Sequence, residues 1–465
     1  MTQAIDPQWA WAPYRPSDDS PWDIKKVGHL YRRAAFGASW SELEEGLKAG
    51  PERAVDDLLK GKPGQEAFDQ QTAPLAQSIA YANNGALARS WWLYRMLHSP
   101  HPLQEKLTLF WHNHFATSNA KVNNAGFMLG QYELMHRHAL GNFRELLQEI
   151  SSDPAMMVWL DTSQSKRRMP NENYARELME LFSLGIGHYT EKDIREAARA
   201  FTGWQIKGGK AVFNPREHDD TEKTILGQTG KWTGAEVVRI CLDQPSAAFF
   251  IVAKLYRFLI SETVPFTTVL LEPLASQFRK SGFHFGGVVE TMLRSNLFFS
   301  SQIYRSHVKA PVDFAIGIVH ALEGRVGGSA LAQALEQLGQ NIFYPPSVKG
   351  WDGGAAWLNG QTLLTRQNLA LAMTSTEDQR FGRRTDPAAL LQKYGVKSDT
   401  ALVDFFLRLF LQGDVPAEAR DKLLAYQQQA HKQAVPVYWT TQDAADHRVR
   451  TLCHLVLTLP EFQLD

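Results

Sequence analysis

Apolar residues recur every three or four positions through most of this 465-residue chain, and no stretch sustains the alternation of a half-buried strand. That pattern excludes a core built from sheet, and the expected class is all-α. A first helix runs through His29, Leu30, Arg33 and Phe36 and stops before Gly37. Ser39 or Ser41 caps a second that ends near Gly50, and Pro51 opens a third through Leu59. Helical spacing is then read over 86–96, 102–115, 127–140, 143–150, 191–202, 234–242, 247–259, 269–281, 287–293, 311–322 and 331–338. It restarts at Thr362 or Thr365 and returns over 400–411, 417–431 and 444–457.

Four stretches break this pattern. Residues 1–22, with Trp9, Trp11, Trp22 and several prolines, read as an extended N-terminal arm tacked onto the surface. Residues 205–230 read as a long loop or short hairpin, and 341–361 as a second irregular loop rich in Gly, Pro and Trp. A loop this long inside a compact domain is usually functional or disordered. Residues 375–387 read as an exposed linker or tip.

The most strongly marked helix is Asn171–Gly185, NENYARELMELFSLG, preceded by Pro170. Asn171 is an N-cap residue and Gly185 a C-terminal stop. At about 100° per residue, Tyr174, Ala175, Leu178, Leu181 and Phe182 share one side. Glu172, Asn173, Arg176, Glu177 and Glu180 share the other, with Glu177 at the seam. Glu172–Arg176 and Arg176–Glu180 are i,i+4 pairs, which read either as an intrahelical ion-pair ladder or as the floor of a site.

Composition narrows the function classes. Lys+Arg and Asp+Glu number 49 each, so no global field recruits nucleic acid or an anionic membrane. Cys241 and Cys453 stand alone, which excludes thiolate zinc sites, iron–sulfur clusters and c-type haem attachment within this chain. No apolar run reaches the roughly 18 residues of a membrane span. No basic segment followed by an apolar one opens the chain, so a cytoplasmic location is the default expectation, with export on a partner still open.

Three further stretches carry chemistry. In Trp111-His112-Asn113-His114-Phe115 the two histidines point about 200° apart on a helix. His114 shares the Leu103, Leu107, Phe110 face, and it is read as a buried hydrogen-bonded histidine or as a ligand. Glu217-His218-Asp219-Asp220 is read as solvated loop or as a pair of ligands, His218 and Asp219, delivered to a helical site. In the 341–361 loop Trp351 and Trp357 either pack the loop down or stack on a sugar, with Lys349 beside them. The Gly-x-Ser-x-Gly elbow, the phosphate loop, the dinucleotide fingerprint and His-Glu-x-x-His are all missing.

Taken together, these segments resemble a large bacterial family catalogued as a domain of unknown function. The resemblance rests on His29–Gly37, Phe110–Phe115, Asp153–Asp161, Asn171–Gly185, Tyr189–Trp204, His218–Gly227, Pro345–Trp351 and Leu363–Asn368. It implies a mostly helical protein, often encoded beside a secreted protein resembling alkaline phosphatases and sulfatases. Because these segments run from one end to the other, it also implies one helical domain over 23–465 behind the arm at 1–22.

Three functions follow as expectations. The first is a metal-dependent hydrolase acting on an ester or glycan. A divalent ion of unspecified identity would be held by His114, Glu177, His218 and Asp219 and would activate water. Glu172 or Asp161 would be the general base, Arg176 would orient a carboxylate, and Trp351, Trp357 and Lys349 would bind substrate. The second is an oxidoreductase with a His/carboxylate iron or copper site. The third is a non-catalytic helical partner or maturation factor for a phosphatase- or sulfatase-like protein.

Overall fold

The Pro102–His114 helix is buried on several faces, and its sequence explains why. Leu103, Leu107 and Trp111 are fully buried, and so are His112 and Glu105 on other faces. A helix buried all round needs neighbours on every side. Here they are the helices Ile24–Ala34, Trp40–Lys60, Gly85–His98 and Ala125–Arg137. Its charged residues are paired, as buried charges must be. Glu105 accepts from Arg95 at 2.9 Å, Trp92 Nε1 at 3.1 Å and Tyr132.

This computed structural model describes residues 5–432, 436 and 439–465. The protein is mostly helical, with two small antiparallel ribbons among the described residues. A continuous cluster of buried apolar side chains runs from Ala10 to Phe462. Many helix ends agree with the sequence pattern, Phe143–Ile150 and Gly234–Leu242 among them. Ser39, rather than Ser41, is the cap, forming a reciprocal capping box with Glu42. Thr190 and Asp193 form a second reciprocal capping box. A helix at Gln65–Tyr81 was not anticipated; its internal Pro74 and polar composition weaken the apolar spacing.

The irregular stretches differ more. The first four residues of the arm lie outside the described residues; the rest opens with a short helix, Pro7–Trp11, capped by Asp6. The arm then pairs with 294–297 through Tyr14 N–H to Arg294 O (2.7 Å) and Leu297 N–H to Ala10 O (3.1 Å). Residues 204–230 form two hairpins, Trp204–Lys207 with Lys210–Phe213 and Lys223–Ile225 with Gln228–Gly230. Residues 341–359 are turns and a short 3₁₀ segment, Gly354–Trp357, and the next helix opens at Gly360, two residues before the earlier of the expected restarts. The expected exposed tip at 375–387 is exposed at Glu377, Arg380 and Arg383, among others, but it is anchored at its middle. Phe381 is buried, and Arg450 donates to Gly382 O (3.0 Å) and Thr385 O (3.2 Å). A helix, Pro387–Lys393, follows it.

Candidate functional site

The Asn171–Gly185 stretch ends where the sequence places its stop, but its helix opens at Asn173 with Glu172, not Asn171, in the N-cap position. Asn171 Oδ1 accepts from Asn173 N–H at 2.8 Å, and Gly185 turns the chain at φ +84°. Between them the helix is not regular. Asn173–Glu177 is α-helical and Leu178–Ser183 forms a wider π turn. Leu184 N–H reaches back five residues to Met179 O at 3.0 Å. Ser183 Oγ donates to Leu178 O at 2.5 Å. The apolar face is as expected, with Met179 added to the buried side.

A helix end buried in a core leaves carbonyls that need donors. His114 and Lys254 supply them. His114 Nε2 donates to Phe182 O at 3.1 Å, and Lys254 Nζ donates to Leu181 O at 3.0 Å and to His114 Nδ1 at 3.1 Å. The imidazole is therefore neutral, protonated on Nε2, with both nitrogens engaged. Burial and the nearby Lys254 charge push it well below its usual range. Burial and Arg257 bring Lys254 down to about 7.

The same helix holds two more segments with its neighbouring side chains. His112 Nε2 accepts the Phe343 N–H at 3.2 Å, where Phe343 takes a left-handed backbone at φ +66°. Asn113 Oδ1 accepts the Trp351 N–H at 2.8 Å and its amide donates to Trp351 O at 3.3 Å. The approach is tight enough that a Cβ on Gly350, at φ +85°, would lie 2.2 Å from Asn113 Oδ1. Three consecutive polar residues thus hold the 171–185 helix and two points of the 341–361 loop against one central helix.

The remaining expected site residues lie elsewhere or are otherwise engaged. Asp161, at φ +60°, is ion-paired with Lys121 at 2.8 Å. Arg176 binds Glu191 at 2.8 Å and Glu172 at 3.4 Å, so the ladder is real on the Glu172 side, while Glu180 accepts from Tyr189 OH. His218 Nδ1 donates to Thr202 O at 3.0 Å. Asp219 is paired with Arg199 at 2.8 Å, which holds its carboxyl well below the usual range against the opposing effect of burial. Fully buried Lys223 closes this loop on Asp219 O and Thr221 O. The loop packs on residues 165–167, through Gly203 N–H to Ser165 O and Arg167 N–H to Glu217 O.

The proposed ligand set of His114, Glu177, His218 and Asp219 therefore does not assemble. Among the described residues no three His, Cys, Asp or Glu side chains gather as a metal site requires. Structural hydrogen bonds and ion pairs have already taken the lone pairs of His114 and Asp219. The sugar-stacking role expected of Trp351 and Trp357 also fails geometrically, because both rings are buried. Lys349 is exposed and paired with Asp352. Glu177 is the exception. It is half-buried, and burial and Glu180 raise its pKa while Arg176 opposes them.

Residues 29–464 match the model of a family described as proteins of unknown function, DUF1800. The chain belongs to this family. No curated protein and no solved structure matches it. Among the described residues of this family member, no helix is long and apolar enough to cross a membrane. Sequence reasoning passed over Lys254, although it is the sole charge in the apolar run Pro245–Leu255 of its helix. A lone lysine in such a run signals a buried acceptor in need of a donor.

Proposed function

We propose that this protein is a non-catalytic helical partner, or maturation factor, for a phosphatase- or sulfatase-like protein. One observation carries the reading. The polar side chains that mark the chain are engaged by its own backbone and counter-charges: His112, Asn113, His114 and His218 with backbone groups, and Asp161, Arg176 and Asp219 in ion pairs. Such a network orders a surface rather than handling a substrate. The surface it orders bears exposed apolar side chains at both ends of the 171–185 helix, Met169 and Ile186, with the half-exposed Glu172, Arg176, Glu177 and Glu180 between them. Apolar anchors beside a polar rim are the composition of a protein interface.

The test is co-expression with the phosphatase- or sulfatase-like neighbour, followed by affinity capture and metal analysis of the product. A metal-free complex, lost on joint Met169→Lys and Ile186→Lys substitution, is expected. Failure of the two proteins to co-purify sinks this reading.

Glu177 supports a second reading, the metal-dependent hydrolase. A half-buried carboxylate beside Glu180, without a matching cation of its own, is a place for a divalent ion. It would need donors other than His114 and Asp219. A stoichiometric ion in purified protein, weakened by Glu177→Gln, supports it, and a redox-active ion would favour the oxidoreductase instead.

A further inference from the structure

The polar side chains of the Pro102–His114 helix are spent on the fold; a second set, at the surface, is not. Residues 163–170 and 203–216 lie side by side, joined by Gly203 N–H to Ser165 O at 3.1 Å and, just beyond, by Arg167 N–H to Glu217 O at 2.7 Å. The two segments carry six cations, Lys166, Arg167, Arg168, Lys207, Lys210 and Arg216, and no carboxylate. Charge is balanced over the whole chain but not here. Within four residues of either segment, Asp161 is committed to Lys121, Glu172 to Arg176, Asp219 to Arg199 and Asp220 to Arg167. Of these flanking carboxylates Glu217 alone is left to oppose Lys166, Arg168, Lys207, Lys210 and Arg216. All five are exposed, and none forms an ion pair among the described residues.

Between the two segments runs an open groove of about 540 Å³, walled by residues from 163–169 on one side and 205–207 on the other. That volume lies within the range of clefts that hold ligands. Lys166 stands on one wall and Lys207 on the other, and the exposed Met169 and part-buried Ile206 give the groove an apolar lining. The wall that carries Lys166 is a tight turn, with Lys166 and Met169 exchanging N–H to O bonds at 3.2 and 2.8 Å. Cations held on such turns repel one another, and their side chains serve no contact of the fold; carboxylates brought into the groove would relieve that repulsion.

The other wall adds a backbone signal. Gly208 and Gly209, at φ +57° and +75°, close the Trp204–Lys207 and Lys210–Phe213 hairpin in a two-residue turn. In such a hairpin the flanking pair, Lys207 and Lys210, exchanges both backbone bonds, and every second pair does so after it. The next are Gln205 with Val212 and Gly203 with Asn214, and Asn214 N–H does donate to Gly203 O at 2.8 Å. The N–H and C=O of Ile206 therefore point off the outer edge of the strand, and among the described residues nothing pairs with them there. A free donor and a free acceptor on one residue match the backbone of an extended peptide, whereas a phosphate chain offers acceptors alone.

We propose that this groove receives an acidic, extended segment of a partner protein. One residue of the segment exchanges backbone hydrogen bonds with Ile206, and its carboxylates lie against Lys166, Arg168 and Lys207. This rests on the reading of the chain as a binding partner and adds what the bound protein must present.

The experiment is titration calorimetry of the full chain at low salt with an eight-residue peptide alternating Glu and Thr, acetylated and amidated so that only its carboxylates are charged. Two further probes are its fully N-methylated counterpart, which keeps the charge and loses the amide donors, and an oligothymidylate of matching charge. We expect saturable one-to-one binding of the peptide at sub-millimolar concentration, and at least about tenfold weaker binding of both other probes. Joint Lys166→Glu and Lys207→Glu substitution, at two exposed positions, is expected to weaken the peptide about tenfold or more. No saturable peptide binding up to about 1 mM overturns the proposal. So does an N-methylated peptide that binds equally well, because the Ile206 edge would then play no part, and so does an oligothymidylate that binds as tightly, because the groove would then be a general polyanion site. These comparisons use the parent protein and do not depend on any variant folding. Co-purification with the phosphatase- or sulfatase-like neighbour separates the two readings. A complex that survives the double charge reversal but is lost on joint Met169→Lys and Ile186→Lys substitution overturns the groove and leaves the partner reading standing. Peptide binding without co-purification supports the groove and counts against that neighbour as the protein that fills it.

Discussion

His114→Phe separates a structural histidine from a metal ligand. The substitution keeps a planar ring in the aromatic cluster of Phe110, Trp111, Phe115 and Phe182 and removes both nitrogens. Two buried groups then lose a partner: the Phe182 carbonyl, 3.1 Å from Nε2, and the Lys254 amine, 3.1 Å from Nδ1. A buried polar group left without its partner costs about 1–3 kcal/mol, and Lys254 retains Leu181 O, so the expected loss is about 3 kcal/mol. An unfolding entropy of about 2.1 cal/mol/K per residue gives about 1 kcal/mol/K over 465 residues, so the melting midpoint falls by about 3 °C for two-state unfolding. Urea denaturation gives the free energy and calorimetry the midpoint, each with and without chelator. Adding Lys254→Met to His114→Phe is expected to cost less than Lys254→Met alone, because the two groups are coupled. A variant as stable as the parent would refute this account. So would a chelator that lowers the parent's midpoint to that of the variant, since His114 would then be acting through a metal.

Three further outcomes follow from the same structure. Burial raises the Asp153 carboxyl to about 7 despite hydrogen bonds from Gln131 and Met156 N–H, so the folded state favours the protonated form and loses stability as pH rises from about 4 to 7. Asp153→Asn has no such titration, and urea unfolding at several pH values should show it gaining on the parent by about 1.4 kcal/mol per pH unit across that window; a flat difference rejects the assignment. Gly350→Ala meets Asn113 at 2.2 Å as well as left-handed strain, whereas Gly187→Ala, at φ +90° with nothing within 4 Å, meets strain alone. The Gly187 variant should lose about 1–2 kcal/mol and the Gly350 variant clearly more, and equal losses in denaturant melts would remove the contact from the explanation. Arg450→Met frees the carbonyls of Gly382 and Thr385, so trypsin should cut at Arg380 or Arg383 far faster than in the parent; an unchanged digestion pattern would show that the segment is held by other contacts.

Local chemistry was legible from the residues alone, and so were the elements it makes. The 3.6-residue spacing, the cap at Ser39 and the stop at Gly185 depend on neighbours within a few positions, and the structure has each where the sequence marks it. The buried face of 171–185 was readable for the same reason. The π turn was not, because it is stabilised by donors from His114 and Lys254, 68 and 73 residues away from the carbonyls they satisfy. Periodicity also could not say which polar residues would converge. His114 does meet the 171–185 helix, but at its backbone, while His218 and Asp219 close on Thr202 and Arg199.

Sequence by itself therefore determined the helical class, most helix boundaries and which residues are chemically unusual. Only the tertiary structure decided what those residues touch. The spare valences of His112, Asn113 and His114 went to carbonyls and amides that the folding of distant segments had left unpaired, because a buried unpaired group costs more than a side chain committed to satisfying it.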